Sequence, residues 1–223
     1  MSTRGVKGTL YAAFAAVAKA LAHEHRLELL ERIAQGEASV ETLAAGCGLS
    51  VANASQHLQQ LRRAGLVAAR RSNKFVLYRL ADDSVLAAVA ALQRVAEKNV
   101  AEVDRVIRSY FVERDRLEPV SRRELRERMR NGLVTVLDVR PEQEFENGHL
   151  PGAVNVPLAR LKQWLRRLDR RVEVVAYCRG PYCVLAFEAV ALLRAHGFTA
   201  RRLEDGFPEW KAAGLPVEQA ATA

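Results

Sequence analysis

The sequence predicts two folded domains in one chain: a mainly α domain carrying a winged helix-turn-helix, then an α/β domain with a largely parallel sheet. Three observations predict it. Helical periodicity occupies most of the first 64 residues and is interrupted at Gly46-Cys47-Gly48-Leu49-Ser50, a turn between two short helices. A hairpin pattern follows, Val67 to Arg71 and Phe75 to Leu80 about a Ser72-Asn73-Lys74 turn. From Leu133 onward, apolar β-branched runs alternate with helical ones, as strands joined by crossover helices do.

A chain of 223 residues suits two domains of about 100 residues, each large enough to bury a core. The expected division is residues 1–112, a charged linker at 113–119 ending in Pro119, and residues 120–223. No run approaches a membrane span, and Met1 to Lys7 lack an apolar signal core, so a cytoplasmic protein without a membrane partner is expected. Three cysteines make no disulfide framework. In a reducing compartment, Cys178 and Cys183, five positions apart, are better placed for redox or catalytic work. The net charge of +8 is shared by both halves, which makes a polyanion partner plausible without assigning it to either.

Taking the elements in order, Leu10, Phe14, Val17 and Leu21 recur at helical spacing over 8–21, and Leu27, Leu29, Leu30 and Ile33 form a second helix that Gly36 ends. His23 and His25, at the junction, read as capping or surface groups. A third helix spans Val40 to Ala45. Ser50 is placed to cap a fourth, from Val51 to about Ala64, and Cys47 reads as a small packing residue in the turn. The fourth helix presents Asn53, Ser55, Gln56, His57 and Gln60, uncharged hydrogen-bonding groups suited to base edges, with Arg62 and Arg63 after them. Arg70, Arg71 and Lys74 put a basic wing beside it. Residues 83–111 then carry a long stripe, Val85, Val89, Leu92, Ala96, Val100, Val103, Ile107 and Tyr110, which reads as a seam for a partner helix and hence a homodimer. Two reading helices about one turn of DNA apart imply a near-palindromic double-stranded site.

In the second half Ser121 and Glu124 form a capping box for a helix to about Met129. Strands are expected at 133–138, 153–156, 172–177 and 199–203, with helices at 158–168 and 184–196. The run Val172 to Tyr177 stops at Cys178, and after Arg179-Gly180-Pro181-Tyr182-Cys183 a helix begins. A strand thus delivers a thiol towards a helix N-terminus, whose unpaired N–H groups favour a thiolate, and Arg179 is expected to add a cation. Cys178 is the candidate nucleophile.

Two family resemblances sharpen this reading. Ala20-Leu21-Ala22-His23-Glu24-His25-Arg26-Leu27-Glu28-Leu29-Leu30 and Ser55-Gln56-His57-Leu58-Gln59-Gln60-Leu61-Arg62-Arg63-Ala64-Gly65-Leu66-Val67 resemble the ArsR family of winged-helix repressors over residues 8–110. The resemblance implies dimers that bind operator DNA and release it on sensing a ligand. Many members carry a metal-binding Cys-x-Cys in the third helix, but this chain has Ala38-Ser39-Val40-Glu41, and its late helix lacks His and Cys. The family's two best-known metal sites are missing, and no metal is assigned.

Leu137-Asp138-Val139-Arg140-Pro141-Glu142-Gln143-Glu144-Phe145-Glu146-Asn147-Gly148-His149-Leu150-Pro151-Gly152-Ala153 resembles the N-terminal signature of rhodanese sulfurtransferases. Leu203-Glu204-Asp205-Gly206-Phe207-Pro208-Glu209-Trp210 with Gly214-Leu215-Pro216-Val217 resembles their C-terminal one. The resemblance implies a rhodanese-like α/β fold over 120–217, sulfane-sulfur uptake on Cys178, and an anion-cradling loop of Arg179, Gly180, Pro181, Tyr182 and Cys183. Asp138, Arg140 and His149 read as mostly structural, with contact between Arg140 and substrate as the minority reading. Asp205 stands where a Gly is commoner, which should alter the turn and leave the chemistry. Related phosphatases close a longer loop with an Arg, where this chain has Val184, so a phosphoryl transition state would lack its main electrostatic partner.

The expected function is a DNA-binding transcriptional repressor responsive to reactive sulfur species, with a small sulfur-containing effector and no cofactor. Two other readings compete with it. One is a sulfurtransferase with vestigial DNA binding; the other is a thiophilic metalloid sensor using Cys178 and Cys183.

Overall fold

A computed structural model describes residues 3–112 and 119–219. The expected linker, apart from Pro119, lies outside the described residues. The chain divides into two compact units, Met1–Ala91 and Leu92–Ala223.

The first unit begins with α1 (Thr3–Leu21), α2 (Glu24–Ala34), a short β1 (Ala38–Ser39), α3 (Val40–Gly46) and α4 (Val51–Arg63), followed by the hairpin β2 (Val67–Ser72) and β3 (Phe75–Leu80). His23 caps α2 by accepting a bond from the His25 N–H, and Ser39 and Ser50 cap α3 and α4 in the same way. These caps set where each helix starts. The three strands run antiparallel in the order β1-β3-β2, and Asn73, at φ +51°, takes the left-handed position that the tight turn needs. Leu29, Leu30, Ile33, Leu43, Leu58, Leu61 and Tyr78 form the core, which fixes α4 against α2 and α3 with its opposite face outward.

The stripe expected as one helix over 83–111 is interrupted. It forms α5 (Asp83–Asn99), α6 (Ala101–Val106) and a π-helical turn (Ile107–Val112), with Val100 extended between the first two. The physical reason lies at Asn99, whose side-chain amide donates to the Val95 carbonyl at 2.8 Å. Asn competes locally for helix carbonyls, and the β-branched Val100 follows it.

The second unit continues through α7 (Arg122–Arg130), β4 (Val134–Asp138), α8 (Glu142–Glu146), β5 (Val154–Asn155), α9 (Leu158–Trp164), β6 (Glu173–Tyr177), α10 (Val184–Ala195), β7 (Ala200–Arg202) and α11 (Phe207–Ala212). Its sheet is parallel throughout, in the order β5-β4-β6-β7. Both faces are covered, and side chains alternate between two cores. Val174, Ala176 and Cys178 pack with Leu161 of α9 and with Ala189, Val190 and Leu193 of α10. Val175 and Tyr177 pack with Leu125 of α7 and with Phe207 and Trp210 of α11. That burial explains why the strands read as continuous apolar runs. It also fixes the register at the end of β6, so Cys178 necessarily falls on the α9–α10 side.

Candidate active site and nucleic-acid interface

Cys178 follows β6 directly, and Cys183 is the N-cap residue of α10. The two are joined by a disulfide, with Cα atoms 6.1 Å apart, and both are buried. Within the loop the Cys183 N–H donates to the Gly180 carbonyl at 3.1 Å. The second thiol therefore lies within bonding reach of the first.

The outer side of this loop is held by the segment before α11. The Phe207 N–H donates to the Cys178 carbonyl at 3.1 Å, and the Gly206 N–H donates to Glu209 Oε2 at 3.0 Å. A methyl group on Gly206 would lie 2.3 Å from both the Arg179 carbonyl carbon and the Gly180 nitrogen. Only glycine admits this approach. We expect Gly206→Ala to displace the loop and lower sulfur uptake on Cys178 by at least about tenfold, because an ångström-scale misplacement of a reacting group costs rate on that scale. Uptake followed by intact mass checks this. Asp205 pairs with Arg122 Nε of α7 at 2.7 Å, so the departure from Gly at this position ties the turn to a neighbouring helix.

Arg179 does not stand beside the sulfur as a free cation. Its guanidinium is buried and held by Glu144 of α8, Nε at 3.0 Å from both carboxylate oxygens and Nη2 at 2.7 Å from Oε1. A buried guanidinium requires such a partner, and Glu144 supplies it. The expectation of an added cation is corrected accordingly, since the charge is committed to an ion pair. Nothing in the sequence distinguished Glu144 from Glu142 or Glu146; the α8 turn decides it.

Beneath the loop, Asp138, Arg140 and Tyr177 form a sealed network. Asp138 and Arg140 are wholly buried and paired, with Arg140 Nη2 at 2.5 Å from Oδ2 and Nε at 3.0 Å from Oδ1. Arg140 also donates to the Gly148 carbonyl at 2.8 Å, and its guanidinium lies 4.5 Å from the centre of the Phe207 ring. The Tyr177 hydroxyl donates to Asp138 Oδ2 at 2.5 Å and accepts from the Leu150 N–H at 3.1 Å. Burial, followed by the Asp138 charge, pushes the Tyr177 phenol well above its ordinary range, so it remains a donor. The network pins the residue immediately before Cys178. His149 stacks on Phe145 and bonds its carbonyl through Nδ1 at 2.9 Å.

In the first unit, the exposed face of α4 includes Gln56 and Gln60, with Asn53 and Ser55 half-buried at its edge. Gln60 Oε1 accepts from Arg26 Nη1 at 2.6 Å, so its amide is positioned from within the domain. His57 corrects the reading of a DNA-facing histidine. It is buried, its ring centre lies 4.4 Å from that of His23, and its Nδ1 has no hydrogen-bond partner. Burial first, then His23, Arg26 and His25 beside it, lower its pKa from the ordinary histidine range. Helical phase explains the error, since Ala54, His57, Leu58 and Leu61 share one buried face. On the wing Arg70 is gripped by Glu37, Nε at 2.9 Å from both oxygens and Nη2 at 2.5 Å from Oε2. Arg71 and Lys74 are exposed near the turn. Glu37 had no signal in the sequence, since it meets Arg70 only through β1 pairing with β3. Among the described residues no cluster of His, Cys, Asp and Glu has metal-site geometry, and no helix is long and apolar enough to cross a membrane.

Comparison with known proteins agrees with this geometry in both halves. Residues 121–213 match the rhodanese-like domain family, and residues 21–70 match a helix-turn-helix domain family. The chain is 42% identical over 215 residues to the HTH-type transcriptional regulator Rv0324 of Mycobacterium tuberculosis, covering 96% of this chain and 94% of that one. It is 33% identical over 106 residues to the uncharacterized protein YqhL of Bacillus subtilis, covering 47% of this chain and 81% of that one. A solved homodimeric winged helix-turn-helix DNA-binding domain from Mycobacterium bovis, described as a possible ArsR-family regulator, shares 39% identity, with a TM-score of 0.42 over 46% of this chain and 93% of that one. A relative matched over nearly its whole length, with both domains present in order, places this chain in the family of HTH-type transcriptional regulators that join an ArsR-type winged helix-turn-helix to a rhodanese-like domain.

Proposed function

We propose that this regulator is a homodimeric repressor that releases its operator when sulfane sulfur is taken up at Cys178. The observation that carries the reading is the pairing of Cys178, at the carboxyl end of a parallel strand, with Cys183 at the start of the following helix. Ligands of such sheets bind at that end. The Cys178 thiolate attacks the outer sulfur of a donor such as thiosulfate, forming a Cys178 persulfide and releasing sulfite. The Cys183 thiolate then attacks Cys178 Sγ; the Cys178–sulfane bond breaks, hydrosulfide leaves, and the disulfide forms. The sulfane sulfur is reduced and the two thiols are oxidised, so no further oxidant enters.

Dimerisation is supported by the apolar surface that the chain leaves open. Leu10, Phe14 and Val17 on α1, and Leu92 and Val95 on α5, are all exposed. Isolated exposed apolar residues are ordinary, whereas stripes at helical spacing call for a partner helix.

On DNA, Gln56 is assigned to base edges and Lys74 to phosphate. Gln56→Ala should relax sequence preference, while Lys74→Ala weakens binding to all duplexes alike and lowers the salt slope by about one. Titrating operator and scrambled duplex at several salt concentrations separates the two effects. The sulfur step is tested by treating reduced protein with thiosulfate or polysulfide and following intact mass. Gain of one sulfur atom, then loss of two hydrogens relative to the dithiol, is the expected sequence; a dithiol that never changes mass counts against it.

A further inference from the structure

Arg26, near the start of α2, is buried and donates to two other helices of the first unit. Its Nε and Nη2 donate to the Ala20 and Lys19 carbonyls of α1 at 2.5 and 3.0 Å, and its Nη1 donates to Gln60 Oε1 of α4 at 2.6 Å. A guanidinium only donates, so the oxygen must be the branch of the Gln60 amide that faces it. The other branch, the NH2, is the end that this exposed side chain offers outward. Gln60 can donate and accept by composition, and its placement makes it a donor.

Beside this amide lies a cavity of about 360 Å³, lined by Lys19, Arg26, Gln60 and Arg63 with alanines as the rest of its wall. Among the described residues no carboxylate lines it. An ammonium, two guanidiniums and an amide NH2 are all donors, and such a set suits an oxyanion. Position narrows which one. Gln60 and Arg63 follow Gln56 by four and seven residues, so they continue the reading face of α4, and the bond to Arg26 sets Gln60 on the flank nearest α2. A helix with its side chains is about 10–12 Å across and the major groove about 12 Å wide. The flanks of a docked helix therefore face phosphates, and its outermost residues face bases.

We propose that Lys19, Gln60 and Arg63 clamp one backbone phosphate of the duplex, with Arg26 holding the Gln60 amide in its donor orientation. The clamp rests on the docking of α4 in the major groove and adds a contact to it. It separates Gln60 from Gln56: the same side-chain type reads bases at one position and holds the backbone one turn later. Bidentate recognition of adenine needs an acceptor and a donor from one amide, and at Gln60 the acceptor is already turned to Arg26. A phosphate needs donors alone. Lys19 and Arg63 are exposed, and a lone ion at so open a wall keeps its water. A phosphate carried by a docked duplex is delivered there by the rest of the interface, at high effective concentration.

The experiment titrates operator and scrambled duplex with the full chain at several salt concentrations, in wild type, Gln60→Ala, Gln60→Glu, Lys74→Ala and the paired variant Lys19→Ala with Arg63→Ala. Lys19, Gln60 and Arg63 are exposed, so these substitutions leave the core intact. The paired variant should lower the salt slope by about one, the value for one phosphate, on both duplexes alike. Gln60→Ala should weaken both duplexes by the same factor, about tenfold, with slope and preference unchanged, because an uncharged donor releases no counterion. Gln60→Glu, whose carboxylate Arg26 would hold in the same place, offers no donor and should weaken both by about a hundredfold. A Gln60→Ala protein that relaxes sequence preference makes Gln60 a base reader and overturns the clamp. An unchanged slope in the paired variant, beside a lowered one in Lys74→Ala, overturns the clamp and leaves the DNA-binding reading intact. Wild type without salt-dependent duplex binding overturns both. The free ion is tested apart: with inorganic phosphate and no DNA, the NMR signal of the Gln60 side-chain amide should show no saturable shift, and saturation would assign the cavity to a free oxyanion and overturn the clamp.

Discussion

A Cys178→Ser variant is expected to take up no sulfane sulfur, with transfer reduced by at least about a thousandfold, the scale on which enzymes lose rate with their nucleophile. A serine hydroxyl in place of the thiolate has neither the charge nor the affinity for sulfur that the first displacement needs. The operator affinity of the untreated, reduced protein should remain at the wild-type level, because the variant, like the dithiol form, has no Cys178–Cys183 disulfide. The variant should bind operator equally before and after polysulfide. Transfer of sulfur from thiosulfate to a thiol acceptor, together with operator titration, checks both halves. Retained transfer would remove Cys178 from the chemistry.

Replacing Arg140 with alanine should destabilise the rhodanese-like domain by about 3–5 kcal/mol, the usual cost of removing one partner from a buried ion pair. Asp138 and Arg140 are both wholly buried, so the carboxylate left behind has no access to water. The loss spreads, because the same guanidinium covers the Phe207 ring and holds the Gly148 carbonyl. The chain has two tryptophans, Trp164 and Trp210, and both lie in this half. Urea unfolding followed by their fluorescence therefore reports this domain without interference from the winged helix. A midpoint unchanged by the substitution would contradict the network. Exchanging the pair together, Asp138→Leu with Arg140→Met, should cost less than Arg140→Ala alone, since no charge is then stranded.

Much of the fold was legible in the sequence because the fold is written in periodicities. Val174, Val175 and Ala176 are buried on both sides of a parallel sheet, so they read as an uninterrupted apolar run that ends where the strand ends, one residue before Cys178. Ser50 announced the start of the reading helix because its side chain does locally what a cap requires. What stayed hidden depended on contacts between distant residues. Arg179 reads as a loop cation until Glu144, 35 positions earlier, takes it. Arg70 reads as a wing contact until Glu37 does the same from 33 positions away. His57 carries the composition of a DNA-contacting residue, but its helical phase sets it against His23. The interruption at Val100 escaped because the apolar stripe continues across it; the signal was Asn99, a residue that bonds carbonyls in its own turn.

The disulfide and the reading helix make one account only if the sulfur state changes the grip on DNA. The most direct test takes a single sample of reduced full-length protein, measures its operator affinity, treats it with polysulfide, and measures intact mass and affinity again at the same salt concentration. The account predicts that affinity falls about tenfold as the dithiol becomes the Cys178–Cys183 disulfide, and recovers when a thiol restores it. Complete conversion to the disulfide with operator affinity unchanged would contradict it.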